Sequence, residues 1–506
     1  MRHLVTLLAS TALSPVALAA LPADHFVDTL MDTPDALPGD GLCADAMGDC
    51  SLRAAVQESN ALGGMHIVQL APGATYLLAL AGAGEDTGAT GDLDVTAMIR
   101  VQGDGAAIDA GGLDRAFDVM VGASLWLEDL EISNGYVVDS SGGAVRSLGD
   151  LRLLDVTVRD SAAMGVGASG GALFNDRGFL HAVRTTLVGN AAERAGGGVE
   201  ANEGTTIVAW SSLLENDTGA VPGNGGGLHL TGRGTVLVSH TLVTGNTASR
   251  EGGGLWNSST GTMSIEACTI DGNAAFGAAS DDGGGGVFND GGFMTIGGST
   301  ITNNTATTGS GSGGGVFNNQ GDLTMWLTTV EGNIANRAGG GVEANIGATS
   351  LIQTTLRANT TGPSPGNGGG FHLTGAGDVY LDQVRAIGNA ASAEGGGVWN
   401  SATGTMTIVG SLIGRNVAHG AAADQGGGGL FNDGGVMVVE DTRVLENVAD
   451  GASGSGGGVF NNLGILTFTG GEIARNTSIR AGGGVEANVG ATTLDGVSLT
   501  ANRTGA

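Results

Sequence analysis

Residues 284–312 read GGGVFNDGGFMTIGGSTITNNTATTGSGS. Apolar side chains at Val287, Met294, Ile296 and Ile301 fall in short β-rich runs separated by Gly, Asn, Asp and Ser. That grammar reads strand, turn, strand, turn, strand. Nothing in it has helical spacing. A four-stranded propeller blade needs about 40 residues and a leucine-rich repeat needs a leucine frame that is missing here, so the stretch reads as one turn of a parallel β-helix.

Working outward, each glycine cluster is followed by an apolar residue, and from Val199 through Leu228, Leu255, Val287, Val316 and Val342 the intervals are 29, 27, 32, 29 and 26 residues. The same five intervals recur from Val342 through Phe371, Val398, Leu430 and Val459 to Val485. RAGGGVEAN accordingly stands at 194–202, 337–345 and 480–488, spaced by 143 residues. One module is therefore five unequal coils. The expected fold is all-β: a single-stranded, right-handed parallel β-helix, or solenoid, with three short strands per coil.

A second marker follows the third apolar run of each coil: Asn134, Asp160, Asn190, Asn216, Asn246, Asn273, Asn304, Asn333, Asn359, Asn389, Asn416, Asn447, Asn476 and Asn502. Stacked coils place equivalent residues roughly 4.8 Å apart, a spacing at which side-chain amides donate and accept along a row. Asn190 to Asn476 are expected to form such a ladder at an inner turn, where buried amides need partners. The rod would be on the order of 65 Å long.

Composition limits the partners. The chain of 506 residues has 97 Gly, 20 basic residues that are all Arg, and a formal charge of −30. Such a surface repels phosphate backbones, so nucleic acid is not an expected partner. Arg2 and His3, an apolar run from Leu4 and Ala17-Leu18-Ala19 read as an export signal. No later apolar run reaches the roughly 18 residues of a membrane span. The expected organisation is a signal at 1–19, a cap with the first coils at 20–125 and the β-helix at 126–506, secreted or at the cell surface.

An open coil would offer its strand edges to other chains. GDCSLRAAVQESNALGG, residues 48–64, reads as a capping helix: Asp49 or Ser51 can cap it, Leu52, Ala55 and Val56 give an apolar face, and Gly63-Gly64 stops it. Cys43 and Cys50 flank its entrance, which in an exported chain suggests a short disulfide. Cys268, replaced by Ser411 one module later, reads as a small buried side chain. FVDTLMDTPD, GDGLCADAMGDCSLRAAVQESNA and IDAGGLDRAFDV resemble the amino-terminal signature of bacterial secreted proteins with a CSLREA domain followed by right-handed parallel β-helix repeats. Ala54-Ala55 stands where that motif has Glu-Ala. The glycine-plus-apolar and Asn markers are also similar to the repeats of chlamydial polymorphic outer membrane proteins, although the Phe of their FxxN motif is mostly Ile, Leu or Val here. These resemblances imply a surface or secreted architecture and, for the second, adhesion.

Parallel β-helices also carry polysaccharide lyases and hydrolases. The Asp-Asp and His-Gly pieces of the hydrolases exist as Asp281-Asp282 and His419-Gly420, but five coils apart, and no carboxylate pair stands out. Arg194, Arg337 and Arg480 with Glu200, Glu343 and Glu486 recur at module spacing, which reads as local ion pairs or solvated acids. His229 and His372, and Trp256 and Trp399, read as exposed decoration or turn packing. No catalytic residue is assigned. Asp290 and Asp433 are weak calcium candidates; no other metal or cofactor is expected. The expected function is a non-catalytic adhesive or matrix-forming rod whose partners are host, matrix or polysaccharide surfaces, with end-to-end or homotypic association. The alternative is a lyase or glycoside hydrolase. LTANRTGA, where the preceding module continues into another coil, suggests a piece of a longer protein.

Overall fold

The computed structural model describes residues 23–505, so the export signal read at 1–19 lies outside the described residues. The coil at 284–312 folds as Val287–Asn289, Phe293–Gly297 and Thr300–Thr302, with a two-residue fourth strand, Thr305–Ala306. Each strand pairs in parallel with its equivalent in the next coil: Val287 with Val316, Met294 with Leu323, Ile301 with Val330, Thr305 with Ile334. The molecule is a parallel β-solenoid. Its short fourth strands form their own uninterrupted sheet of 14, so the pairing runs the length of the rod without a break.

Strand alternation sends Val287, Met294, Ile296 and Ile301 inward, all fully buried in one continuous apolar column. The glycine cluster turns the corner, and each glycine has its own reason. Gly284 sits at φ 62°, and a Cβ there would meet Phe288 Cβ at 2.9 Å. A Cβ on Gly285 would press on the carbonyl oxygens of Thr305 and Gly314, and one on Gly286 would lie 3.0 Å from the Asn304 amide carbon.

That amide belongs to a continuous row. From Asn190 through Asn216, Asn246, Asn273, Asn304, Asn333, Asn359, Asn389, Asn416, Asn447 and Asn476 to Asn502, each Nδ2 donates to the Oδ1 of the next coil at 2.9–3.0 Å. Asn304 shows the full pattern: its Nδ2 also donates to the Ile270 carbonyl, and its Oδ1 also accepts from the Asn273 backbone N–H. All its side-chain donors are used. Asn134 and Asp160 do not join the row. They occupy the left-handed turn position just before it, at φ 58° and 51°. In those coils Gly135 and Ser161 hold the ladder place: the Ser161 N–H donates to Asn190 Oδ1, and the Gly135 N–H to Ser161 Oγ.

Two further rows run beside it. Cys268 lies buried in a row of hydroxyls, between Thr241 and Ser299, and burial pushes its thiol up to about 11. A second amide row, which the sequence reading missed, links Asn257 to Asn289 to Asn318 and, one module later, Asn400 to Asn432 to Asn461.

The amino-terminal end is closed by the helix Leu52–Leu62, with Ser51 accepting the Ala54 N–H as N-cap and Gly63 at φ 63° ending it. Leu52, Ala55 and Val56 face the core. Cys43 and Cys50 are joined, their Cα atoms 5.1 Å apart. Arg53 is fully buried, and its five N–H donors are all used: on both Asp32 oxygens and on the carbonyls of Gly88, Gly91 and Asp92. It ties the helix to the strap that leads into the strand Leu93–Val95.

Candidate functional site

The middle residue of each first-face strand points away from the apolar column, yet it is mostly not exposed. The row runs Glu200, His229, Trp256, Phe288, Phe317 and then Glu343, His372, Trp399, Phe431, Phe460, Glu486, in register coil on coil. All but Glu486 are buried. The glycine hinge folds back over them, as Gly225 does against His229 and Gly252 against Trp256. Of the two expectations for His229, His372, Trp256 and Trp399, exposed decoration is therefore corrected, and packing against the turn is what they do. They form a second, outer core.

Glu200 Oε2 lies 2.9 Å from His229 Nδ1, its Oε1 accepts the Thr231 hydroxyl at 2.6 Å, and Arg194 Nη1 stands 3.6 Å away. Burial opposes the charge on Glu200, but His229, Arg194 and Thr231 outweigh it and hold the carboxyl below its usual range. His229 stacks on Trp256 with ring centroids 4.2 Å apart, and Phe288 meets Phe317 edge-on at 5.1 Å. The next module repeats this: Glu343 with His372 at 2.9 Å, Arg337 at 3.6 Å, the Thr374 hydroxyl donating to Glu343, and His372 over Trp399 at 4.2 Å. Glu486 keeps Arg480 at 3.8 Å.

Beside each tryptophan lies a second carboxyl. Trp256 Nε1 donates to Glu251 and Trp399 Nε1 to Glu394, both at 3.0 Å, and burial pushes both carboxyls up to about 7. Arg250 stands 3.3 Å from Glu251 and pairs with Asp282 at 2.7 Å. One module later Ala393 and Gln425 replace Arg250 and Asp282, so the cation and its partner are lost together. Asp290 and Asp433, raised by burial, accept from Asn319 and Asn462 on the next coil. His419 pairs on the surface with Asp450 at 2.7 Å and Asp282 with Arg250, so the hydrolase-like pieces do not meet.

Followed toward the cap, the same row carries Phe174, Arg146, Asp118 and Asp94. Here the chemistry is not repeated. Asp92, Asp94, Asp114 and Asp118 are buried together with Arg115. Arg115 Nη1 bridges Asp92 at 2.9 Å and Asp118 at 3.1 Å, its Nη2 reaches Ser140 Oγ at 2.7 Å, and Arg146 grips both Asp118 oxygens. Asp94 Oδ2 accepts the Gly88 N–H at 2.7 Å, while its Oδ1 is buried without a partner. Asp114 Oδ2 is likewise unpartnered. Burial pushes Asp92 up to about 7 against the pull of Arg115, and burial with the neighbouring Asp92 charge does the same to Asp94. A cleft of about 580 Å³ opens beside them, lined by Glu85, Asp86, Tyr136, Ser140, Arg115 and Arg146. Among the described residues, this is where three carboxylates come close enough to share one ion. Sequence reading missed it because Asp92 and Asp94 lie in the cap coils, ahead of the regular period.

No protein-family model and no curated protein matches the chain. Among solved structures, the fold is similar to that of the periplasmic alginate epimerase AlgG, with 10% identity and a TM-score of 0.31 over 81% of this chain and 78% of that one. A single-substitution mutant of AlgG aligns over the same shares at 11% identity with a TM-score of 0.30.

Proposed function

We propose that the protein is an exported, non-catalytic rod that acts at the cell surface or outside the cell, as an adhesive or matrix-forming element on host, matrix or polysaccharide surfaces. One observation carries this reading: the two glutamate–histidine pairs sit five coils apart, sealed beneath glycine hinges, where a polymer cannot reach them. A reaction centre is one convergent, accessible pocket. Repeated buried pairs instead hold coils together. The export signal read in the sequence and the disulfide of the cap support a location outside the cytoplasm.

A second reading is favoured by the cap-end cleft, where Asp118, Arg146 and Tyr136 converge at a place with no module copy. There the chain would act as a polysaccharide lyase or glycoside hydrolase. One experiment separates the two. The purified protein is applied to glycan, matrix and polyuronate arrays, with product release followed in the same wells. Retention without product is the expected outcome. Turnover of any polymer that Asp118→Asn abolishes would replace the rod by an enzyme.

A further inference from the structure

The buried cluster at the cap has four carboxylates, Asp92, Asp94, Asp114 and Asp118, against two guanidiniums, Arg115 and Arg146. Arg53, close by, is spent on Asp32 and three carbonyls. Two net negative charges withdrawn from water are costly unless something balances them. One oxygen from each of Asp92, Asp94 and Asp118 lies within 4.8 Å of the others. The independent sign of a missing partner is Asp94 Oδ1: the residue is 1% exposed and this oxygen meets no donor. Its other oxygen is held by the Gly88 N–H, which fixes the carboxylate in place.

We infer that Asp92, Asp94 and Asp118 bind one divalent calcium ion, which latches the strap at 79–92 onto the first coils. With all four carboxylates ionised, the charge deficit equals the charge of one such ion. An all-carboxylate set selects a hard cation. Calcium takes six to eight oxygens at roughly 2.3–2.6 Å in a flexible geometry that suits a shell shared between fixed carboxylates and water, whereas magnesium at about 2.1 Å demands a near-ideal octahedron. Asp118 Oδ2 is taken by both Arg115 and Arg146, but Oδ1 keeps a lone pair beyond its bond from Arg146, and water from the adjoining cleft would complete the shell. The ion joins three parts of the chain: Asp92 closes the strap, Asp94 opens the first-face row and Asp118 continues it one coil on. This latch does not depend on whether the rod is adhesive or catalytic.

The test uses the whole exported chain, stripped with EDTA and dialysed at pH 7.5. Calcium titration by calorimetry should show one site whose affinity falls at least tenfold in Asp94→Asn and in Asp92→Asn. Proteolytic cutting within 82–91 should slow several-fold on adding calcium to wild type and not to either variant. Asp290→Asn, on another coil, should behave as wild type. Circular dichroism of each variant guards against misfolding, since an amide in place of an excess buried carboxylate keeps the shape. Absence of a saturable calcium site, an equal response in Asp94→Asn, or loss of the response in Asp290→Asn alone overturns the assignment.

Discussion

Glu251 and Glu394 occupy one position in two copies of the module, and they differ in their company: Arg250 beside the first, Ala393 beside the second. Both carboxyls have a folded pKa of about 7 against an ordinary value of 4.5. A raised carboxyl contributes stability fully below the unfolded pKa and loses it as pH rises through the folded one. Glu394→Gln, which retains an acceptor for Trp399, should therefore change little at pH 4 and stabilise at pH 8, by up to about 3 kcal/mol. Glu251→Gln should gain less, because Arg250 then loses a carboxylate. Urea denaturation at the two pH values checks this, and equal effects at both would remove burial as the cause. Glycine offers a second comparison at this scale. Gly272, at φ 63° with open space around it, occupies a turn position that Ala358 and Arg415 fill in other coils. Gly272→Ala should cost about 1–2 kcal/mol. Gly285→Ala drives a methyl into two carbonyl oxygens. It should abolish the soluble folded protein, and comparable melting of the two variants would refute the packing account of the cluster.

At the scale of elements, the cap helix depends on one side chain. Arg53 holds Asp32 and three carbonyls of the strap while fully buried, so Arg53→Met leaves Asp32 with only the Ala79 and Leu80 N–H groups and no counter-charge, and takes the guanidinium donors from the Gly91 and Asp92 carbonyls. A loss of about 3–5 kcal/mol is expected in the cap. Arg53→Lys should rescue only part of it, since an ammonium cannot supply a planar fork of five donors. Early proteolytic cutting at 82–91, with the rod still folded, is the readout; simultaneous melting of cap and rod would deny the helix its separate role. What could be read in advance follows the same logic. Coil length, glycine corners and the amides from Asn190 onward were legible because every coil needs its own copy. Asn134 and Asp160 were misplaced by one residue because the first coils fill the ladder position with Gly135 and Ser161. The outer core stayed hidden for a different reason. Period-two alternation marks Glu200, His229 and Trp256 as outward-facing, and only the fold of the glycine hinge shows that outward is not exposed. In VFN, VWN and LHL the large middle residue was the available signal, as the Asn was for the second amide row.

For the whole molecule, the decisive property is that coils five apart are interchangeable. If residues 200–342 are removed, Val199 runs directly into Glu343, and the coil below meets familiar partners. Phe174 then faces Glu343 in place of Glu200, Asn190 donates to Asn359 in place of Asn216, and Asn175 finds Thr349 in place of Thr206. Glu343 keeps His372 and receives Arg194, as Glu200 did. The changes left at this junction include Ile346 where Glu203 stood, on the turn between two strands, Ser350 for Ile207 and Arg357 for Leu214 on outward-facing strand positions, and Leu351 for Val208 inside, apolar for apolar. Because solenoid stability is close to a sum of coil terms and nearest-neighbour interfaces, losing five complete coils removes terms without breaking one. The shortened chain should fold with the circular dichroism of the parent, melt cooperatively, and show a denaturant slope reduced in proportion to the surface no longer buried. A deletion with the same start but ending at 328 brings Thr329, a third-face residue, to the place of a first-face one. That shift puts the asparagine row against the wrong corner and turns apolar side chains outward, so this chain should aggregate. Folding of both deletions alike would mean that register between coils, rather than the module, is unimportant, and the vertical rows of amides could not be what aligns the rod.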